Sequence, residues 1–190
     1  MRIIAGEFKG RRLAAPKGQG TRPTTDRVRE SLMSALASVR GGFDGAVVVD
    51  AFAGSGALGL EALSRGAESA RFYERDGAAY KVLCDNIAML KLDAGTARVQ
   101  RADVLKEPPL RVRPAFDLLF LDPPYALEAE VVFGLLGRLY QSGAIVEDAI
   151  VAYEHDAGSN DAIDALASGM QLELSSRRSY GDTVVDIFCK

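Results

Sequence analysis

Leu121-Asp122-Pro123-Pro124-Tyr125 is the stretch with the most specific chemistry in this 190-residue sequence. Two successive prolines remove two backbone donors and fix two φ angles, leaving a stiff ledge whose carbonyls stay free to accept hydrogen bonds. An exocyclic base amine is a poor nucleophile because its lone pair is delocalised into the ring. The Asp122 carboxylate and the Pro123 carbonyl would each accept one of its N–H bonds, aiming the lone pair at an electrophile and favouring the developing positive charge. Tyr125 adds a ring on which an extruded base can stack.

A second motif supplies a site for that electrophile. Asp50-Ala51-Phe52-Ala53-Gly54-Ser55-Gly56-Ala57-Leu58-Gly59 follows a β-branched run and opens a helical pattern, and its glycines satisfy G-x-G-x-x-G. Such a turn brings backbone N–H groups and the positive end of a helix against an anionic group. Glu74 stands twenty residues after Gly54, where a carboxylate accepts from ribose hydroxyls. Together these residues point to a nucleoside-type cofactor. Asp50 bears on the choice of cofactor, because a carboxylate at the mouth of the first strand repels a pyrophosphate and favours the ammonium of a methionyl group. A turn or helix-capping acid is the other role open to it.

These groups need a scaffold that holds strand ends together. Strands are predicted at Ala46 to Asp50, Ser69 to Glu74, Ala97 to Arg101, Phe116 to Asp122 and Ala149 to Glu154. Helices are predicted from about Ala57 to Arg65, Gly77 to Leu90 and Glu128 to Tyr140. The alternation demands a mostly parallel sheet with helices on both faces. Gln171 to Tyr180 and Thr183 to Phe188 are joined too tightly for a crossover helix and predict a terminal antiparallel hairpin. That hairpin favours the class I methyltransferase arrangement over a plain dinucleotide-binding sheet. Ahead of the sheet, Arg2 to Ala5 and Arg11 to Ala14 read as a small hairpin. A helix capped by Thr24 or Thr25 follows and stops at Gly41-Gly42. Residues 1–42 therefore form a basic N-terminal extension, and residues 43–190 the main α/β domain.

Composition narrows the partners. The sequence is 48% hydrophobic with a net charge of −3, but eight basic residues against three acids give its first 30 residues a net +5, leaving −8 for the remainder. A basic head on an acidic body can hold a polyanion locally. Two distant cysteines, Cys84 and Cys189, suggest neither a disulfide framework nor a zinc site. With no signal-peptide pattern and no membrane-length apolar run, the expected location is the cytoplasm. Nothing calls for a metal, a membrane or a dimer, and a monomer is expected. His155, the only histidine, is expected to be a polar residue at a strand end.

The chain resembles the RsmD-type 16S ribosomal RNA guanine-N2 methyltransferases of bacteria over nearly its whole length. The resemblance is carried by Arg2-Ile3-Ile4-Ala5-Gly6 with Lys9-Gly10-Arg11, and by Arg22-Pro23-Thr24-Thr25-Asp26-Arg27-Val28-Arg29-Glu30. It continues through Phe52 to Gly66, the Asp122-Pro123-Pro124-Tyr125 ledge and Tyr180-Gly181-Asp182-Thr183. The glycine and Asp-Pro-Pro-Tyr motifs are shared with many amino-methyltransferases, whereas the Arg-Pro-Thr-Thr-Asp-Arg-Val-Arg-Glu segment is more specific. Ala5 stands where glycine is more usual.

The resemblance implies methyl transfer from S-adenosylmethionine to the N2 amine of a guanine in 16S rRNA, within the 30S subunit or its assembly intermediate. It assigns the cofactor to Asp50, Gly54, Ser55, Gly56, Glu74, Asp103 and Val104, and the chemistry to Asp122, Pro123, Pro124 and Tyr125. Arg11, Arg12, Arg22, Arg27 and Arg29 are the leading phosphate contacts, with Arg177 and Arg178 as further candidates. Asp103 could instead be an ordinary loop acid, and Arg27 and Arg29 surface ion-pair partners. The competing functions are an amino-methyltransferase acting on DNA adenine or a protein amide, a dinucleotide-dependent oxidoreductase, and a non-catalytic RNA-binding assembly factor.

Overall fold

Val47-Val48-Val49-Asp50 (β1) is buried along its whole length, as a β-branched strand covered on both faces must be. A computed structural model of the chain describes residues 1–16 and 26–190. After an N-terminal arm come α1 (Asp26–Arg40), β1, α2 (Ala57–Ser64), β2 (Ser69–Tyr73), α3 (Gly77–Met89), β3 (Ala97–Gln100) and β4 (Phe116–Leu121). Then follow α4 (Ala129–Gln141), β5 (Ile145–Asp156), a 3-10 turn (Ala157–Ser159), α5 (Asn160–Gly169), β6 (Glu173–Tyr180) and β7 (Thr183–Cys189).

The seven strands form one sheet in the order β3-β2-β1-β4-β5-β7-β6. The first five are parallel, and β7 lies antiparallel between β5 and β6. The predicted parallel sheet and terminal hairpin are both present. Two apolar clusters cover the sheet, one built from α1, α2, α3 and the arm, the other from α4 and α5. Strand alternation divides the sheet between them: Val48 and Phe120 face the first, Val49 and Leu121 the second. Among the described residues, no helix is long and apolar enough to cross a membrane.

Three local expectations change. The segment after Glu154 carries α5, which the sequence pattern leaves unassigned. Of that helix only Ile163 and Ala167 are buried, too sparse an apolar stripe to stand out. β5 begins four residues before the predicted strand, where the register with β4 is irregular and Glu147 and Asp148 are exposed. The predicted N-terminal hairpin is shorter than expected, with a bridge between Arg2 and Arg12 and backbone bonds from Ile3 N–H to the Arg11 carbonyl and from Gly10 N–H to the Ile3 carbonyl, both at 2.9 Å. Beyond Ile3 the pairing ends, and the Ile4 and Ala5 N–H groups donate to the Glu61 carboxylate on α2, at 2.8 and 3.0 Å.

The arm is nevertheless firmly held. Glu61 is fully buried, and it also accepts from Arg65 Nε at 2.8 Å. Ser64 Oγ donates to the Ala5 carbonyl at 2.6 Å and accepts from Phe8 N–H at 3.0 Å. Ile3 and Leu13 join the same core as the sheet. Gly6 has φ +83°, and a Cβ there would run into the Ser64 carbonyl oxygen, which accepts from Glu7 N–H at 2.7 Å. Gly6→Ala should therefore lower unfolding free energy by at least about 2 kcal/mol. A denaturant titration that finds a drop below about 0.5 kcal/mol would show that Gly6 is not fixed against α2.

Candidate active site

β1 and β4 are neighbours although they are far apart in sequence, and their chain connections run to opposite sides of the sheet. This is the switch point where an open α/β sheet leaves a crevice beyond its strand ends. Asp50 ends β1 and Asp122 follows β4, so the glycine motif and the ledge meet there.

Asp50 is 2% exposed, and its Oδ2 accepts from Gly59 N–H at 3.1 Å. Burial pushes its carboxyl up to about 7; the Gly59 hydrogen bond pulls the other way and the nearby Glu74 charge adds to the rise. Gly56, the residue before α2, has φ +82°, and a Cβ would collide with Leu83. Glu74 reaches across from the end of β2: its Oε2 accepts from Gly54 N–H at 2.8 Å and its Oε1 from Asp76 N–H at 2.7 Å. The Gly59 bond to Asp50 and the Gly54 bond to Glu74 thus hold the glycine loop between the ends of β1 and β2.

Asp103 sits in the turn after β3. It accepts from Leu105 N–H at 3.1 Å and lies 3.9 Å from Arg75 Nη1. The neighbouring Val104 is 2% exposed and packs in the core beside α4.

On the ledge, Pro123 is buried while Pro124 and Tyr125 are exposed. The Asp122 carboxyl is pushed well above the usual carboxylate range by burial, with the charges of Glu154 and Asp50 adding to the effect. Tyr125 is 50% exposed, yet its hydroxyl lies 2.7 Å from Thr183 Oγ1 at the start of β7. That hydrogen bond joins the ledge to the terminal hairpin and sets the ring's position. A cavity of about 190 Å³ opens beside it, lined by Pro123, Pro124, Tyr125, Tyr153 and Glu154 among others.

The basic residues divide. Arg11, Arg12 and Arg27 are exposed and suited to phosphate contacts. Arg22, Thr24 and Thr25 lie outside the described residues. Arg29 must be removed from the phosphate-binding set: it is 0% exposed and donates to the Arg2 carbonyl at 2.6 Å and to Asp26 Oδ1 at 2.8 Å. It is an internal tie between α1 and the arm. Arg177 is also committed elsewhere, since it donates to Asp186 through Nε and Nη2 at 2.8 and 2.7 Å and pairs with Asp164 at 2.6 Å. Arg178 Nη1 donates to Ser31 Oγ at 2.7 Å.

His155 stands next to the end of β5, as expected, but it is not a loop residue. It is 4% exposed within β5, with Nε2 3.0 Å from Asp186 Oδ2. Burial alone would raise the Asp186 carboxyl, but hydrogen bonds from Arg177 and His155 outweigh it and hold the carboxyl below its ordinary range. Sequence reasoning missed this network because its members come from three separate strands. It also gave no role to Asn86, although an amide between Leu83, Ile87 and Leu90 on an apolar helix face was a visible signal. No group of three His, Cys, Asp or Glu among the described residues is placed to hold a metal ion.

A family model described as conserved hypothetical protein 95 matches residues 1–189. Ribosomal RNA small subunit methyltransferase D of Escherichia coli is 40% identical over 156 residues, covering 82% of this chain and 75% of that protein. YlbH of Bacillus subtilis, provisionally named an rRNA methyltransferase, is 36% identical over 192 residues, covering 100% of this chain and 99% of its own. The solved structure of Escherichia coli yhhF, provisionally described as a methyltransferase, superposes with a TM-score of 0.79 at 33% identity, covering 100% of this chain and 97% of that one.

The raised Asp50 carboxyl has a consequence for stability. Because the folded state holds this proton more tightly, the unfolded chain releases it first, and stability falls as pH climbs from about 4 to about 7. Asp50→Asn removes that dependence. Relative to the parent protein, the variant should gain up to about 4 kcal/mol between pH 4 and pH 8, read from unfolding curves at both pH values. A pH-independent difference between the two proteins would show that Asp50 titrates normally.

Proposed function

Because this chain belongs to the RsmD family of conserved hypothetical protein 95 and has the class I methyltransferase fold, we propose that it methylates a guanine N2 amine in 16S rRNA. The substrate in this reading is the 30S subunit or its assembly intermediate, and the methyl donor is S-adenosylmethionine. The observation that carries the reading is the Asp122-Pro123-Pro124-Tyr125 ledge beside the glycine loop at the sheet's switch point.

The residues of the crevice fit this cofactor. Asp50 is a buried carboxylate beside a second acid, so an ammonium group would relieve both its desolvation and its repulsion from Glu74. Glu74 accepts N–H donors in the structure and can accept ribose hydroxyls in the same way. The Gly54 and Gly56 turn brings backbone close to a ligand, and Asp103 and Val104 would complete the adenine end.

S-adenosylmethionine supplies an electrophilic methyl group on a sulfonium leaving group. The protein's task is then positioning. Asp122 and the Pro123 carbonyl accept the two N–H bonds of the amine and direct its lone pair, while Tyr125, fixed by Thr183, stacks on the base. Asp122, whose proton affinity is raised by burial, is suited to take the proton that the methylated amine releases. The resulting acid is neutral, which removes the repulsion from Glu154 and Asp50. Residues 1–42 grip the RNA through Arg11, Arg12 and Arg27, and the chain acts as a monomer.

The test is incubation with methyl-labelled S-adenosylmethionine and, separately, 30S subunits lacking the modification, naked 16S RNA and duplex DNA. Label should appear in N2-methylguanosine from 30S subunits, and Asp122→Ala should slow transfer by about 10² to 10⁴ while still binding cofactor. Label in DNA adenine would overturn the substrate, near-normal turnover by Asp122→Ala would overturn the ledge assignment, and binding without transfer would favour an assembly factor. RNA affinity should also fall with salt. Replacing Arg11, Arg12 and Arg27 together should flatten the log–log slope by roughly 0.7 to 0.9 for each phosphate no longer neutralised. A slope unchanged in the triple variant would remove these arginines from the interface.

A further inference from the structure

Asn86 lies on the inward face of α3 and is 2% exposed. A buried amide is costly unless its donors and acceptor are used, and here both hydrogens and the oxygen are. Oδ1 accepts from Ala14 N–H at 2.8 Å, while Nδ2 donates to the Ala14 carbonyl at 3.1 Å and to the Ser55 carbonyl at 2.9 Å. The reverse amide orientation would set the NH₂ against an N–H and the oxygen against two carbonyls, so the partners fix it.

The two backbones joined in this way belong to different parts of the site. Ala14 is on the arm, two residues after the exposed Arg12. Ser55 lies in the glycine loop, between Gly54, whose N–H is held by Glu74, and Gly56 at the start of α2. The ties of Glu61 to Ile4 and Ala5 and of Ser64 to Phe8 end within α2. Besides Asn86 the glycine loop meets the arm through a long contact from Ser55 Oγ to Met1 Sδ at 3.6 Å, whereas the tie from the arm to the loop's backbone runs through Asn86.

We propose that Asn86 is a positioning residue that couples the RNA-gripping arm to the cofactor loop, so that each ligand tightens binding of the other. This rests on the assignment of cofactor and RNA made above. One planar amide serves both backbones and cannot follow a displaced Ala14 while keeping Ser55. Phosphate contacts at Arg11 and Arg12 fix Ala14, and cofactor on the loop fixes Ser55. Ordering either end lowers the cost of ordering the other, and linkage makes the two effects equal.

The experiment uses the full chain and labelled S-adenosylhomocysteine, which does not react, in equilibrium dialysis with and without saturating 30S subunits lacking the modification. In the parent protein the subunits should tighten binding by about 5-fold or more. In Asn86→Asp, which is isosteric but loses both donors, and in Asn86→Ala, the factor should drop below about 2-fold. A parent factor near one, or an undiminished factor in both variants, overturns the coupling.

Hydrogen exchange on the parent protein gives a reading that needs no variant. S-adenosylhomocysteine alone should slow exchange of the Ala14 amide, and an unchanged rate overturns the proposal. If the parent protein binds neither S-adenosylhomocysteine nor the subunits, the functional reading falls as well. Independent binding of both overturns only the coupling.

Discussion

Asp50 and Asp122 end adjacent parallel strands, and Glu154 on the next strand adds a third carboxylate to the same edge of the sheet. Crowding buried carboxylates is the constraint on which the rest of the site depends. It is unfavourable for an isolated protein and becomes useful where donors and cations are to be bound. Burial raises the Asp50 and Asp122 carboxyls first, and the neighbouring charges of Glu74 on Asp50 and of Glu154 and Asp50 on Asp122 add to the rise. Strand order, more than loop conformation, creates this arrangement, because β1 and β4 become neighbours only where the sheet reverses direction.

The arm is organised around a second set of buried polar groups. Glu61, Ser64 and Asn86 satisfy the arm's N–H groups at Ile4, Ala5, Phe8 and Ala14. These ties bring a basic segment against the glycine loop and bury Ile3 and Leu13 in the main core. Arg29 belongs to this set. Its charge adds to the basic count of the first 30 residues, yet the side chain is committed to Asp26 and the Arg2 carbonyl.

The terminal hairpin supports the ledge. His155, Asp186, Arg177 and Asp164 link β5, β7, β6 and α5 in one chain of charge-assisted contacts. Thr183, at the first position of β7, then holds the Tyr125 hydroxyl. The antiparallel pair therefore does more than close the sheet: it fixes the outer end of the ledge.

Local patterns in the sequence were enough to determine the alternating α/β order, the parallel sheet with its terminal hairpin, and the glycine and Asp-Pro-Pro-Tyr motifs. Those features rest on hydrophobic period, turn residues and proline stiffness, all of which act over a few neighbouring positions. Tertiary structure decided which arginines remain exposed, that His155 is internal, that α5 exists on two buried anchors, and that Asn86 joins the arm to the glycine loop. Each of these depends on partners brought together from distant parts of the chain, such as Asn86 with Ala14 and Ser55 or His155 with Asp186. Burial and hydrogen-bond satisfaction are properties of the packed molecule, so a charge or an amide reads the same in sequence whether it meets water, a phosphate or a buried carbonyl.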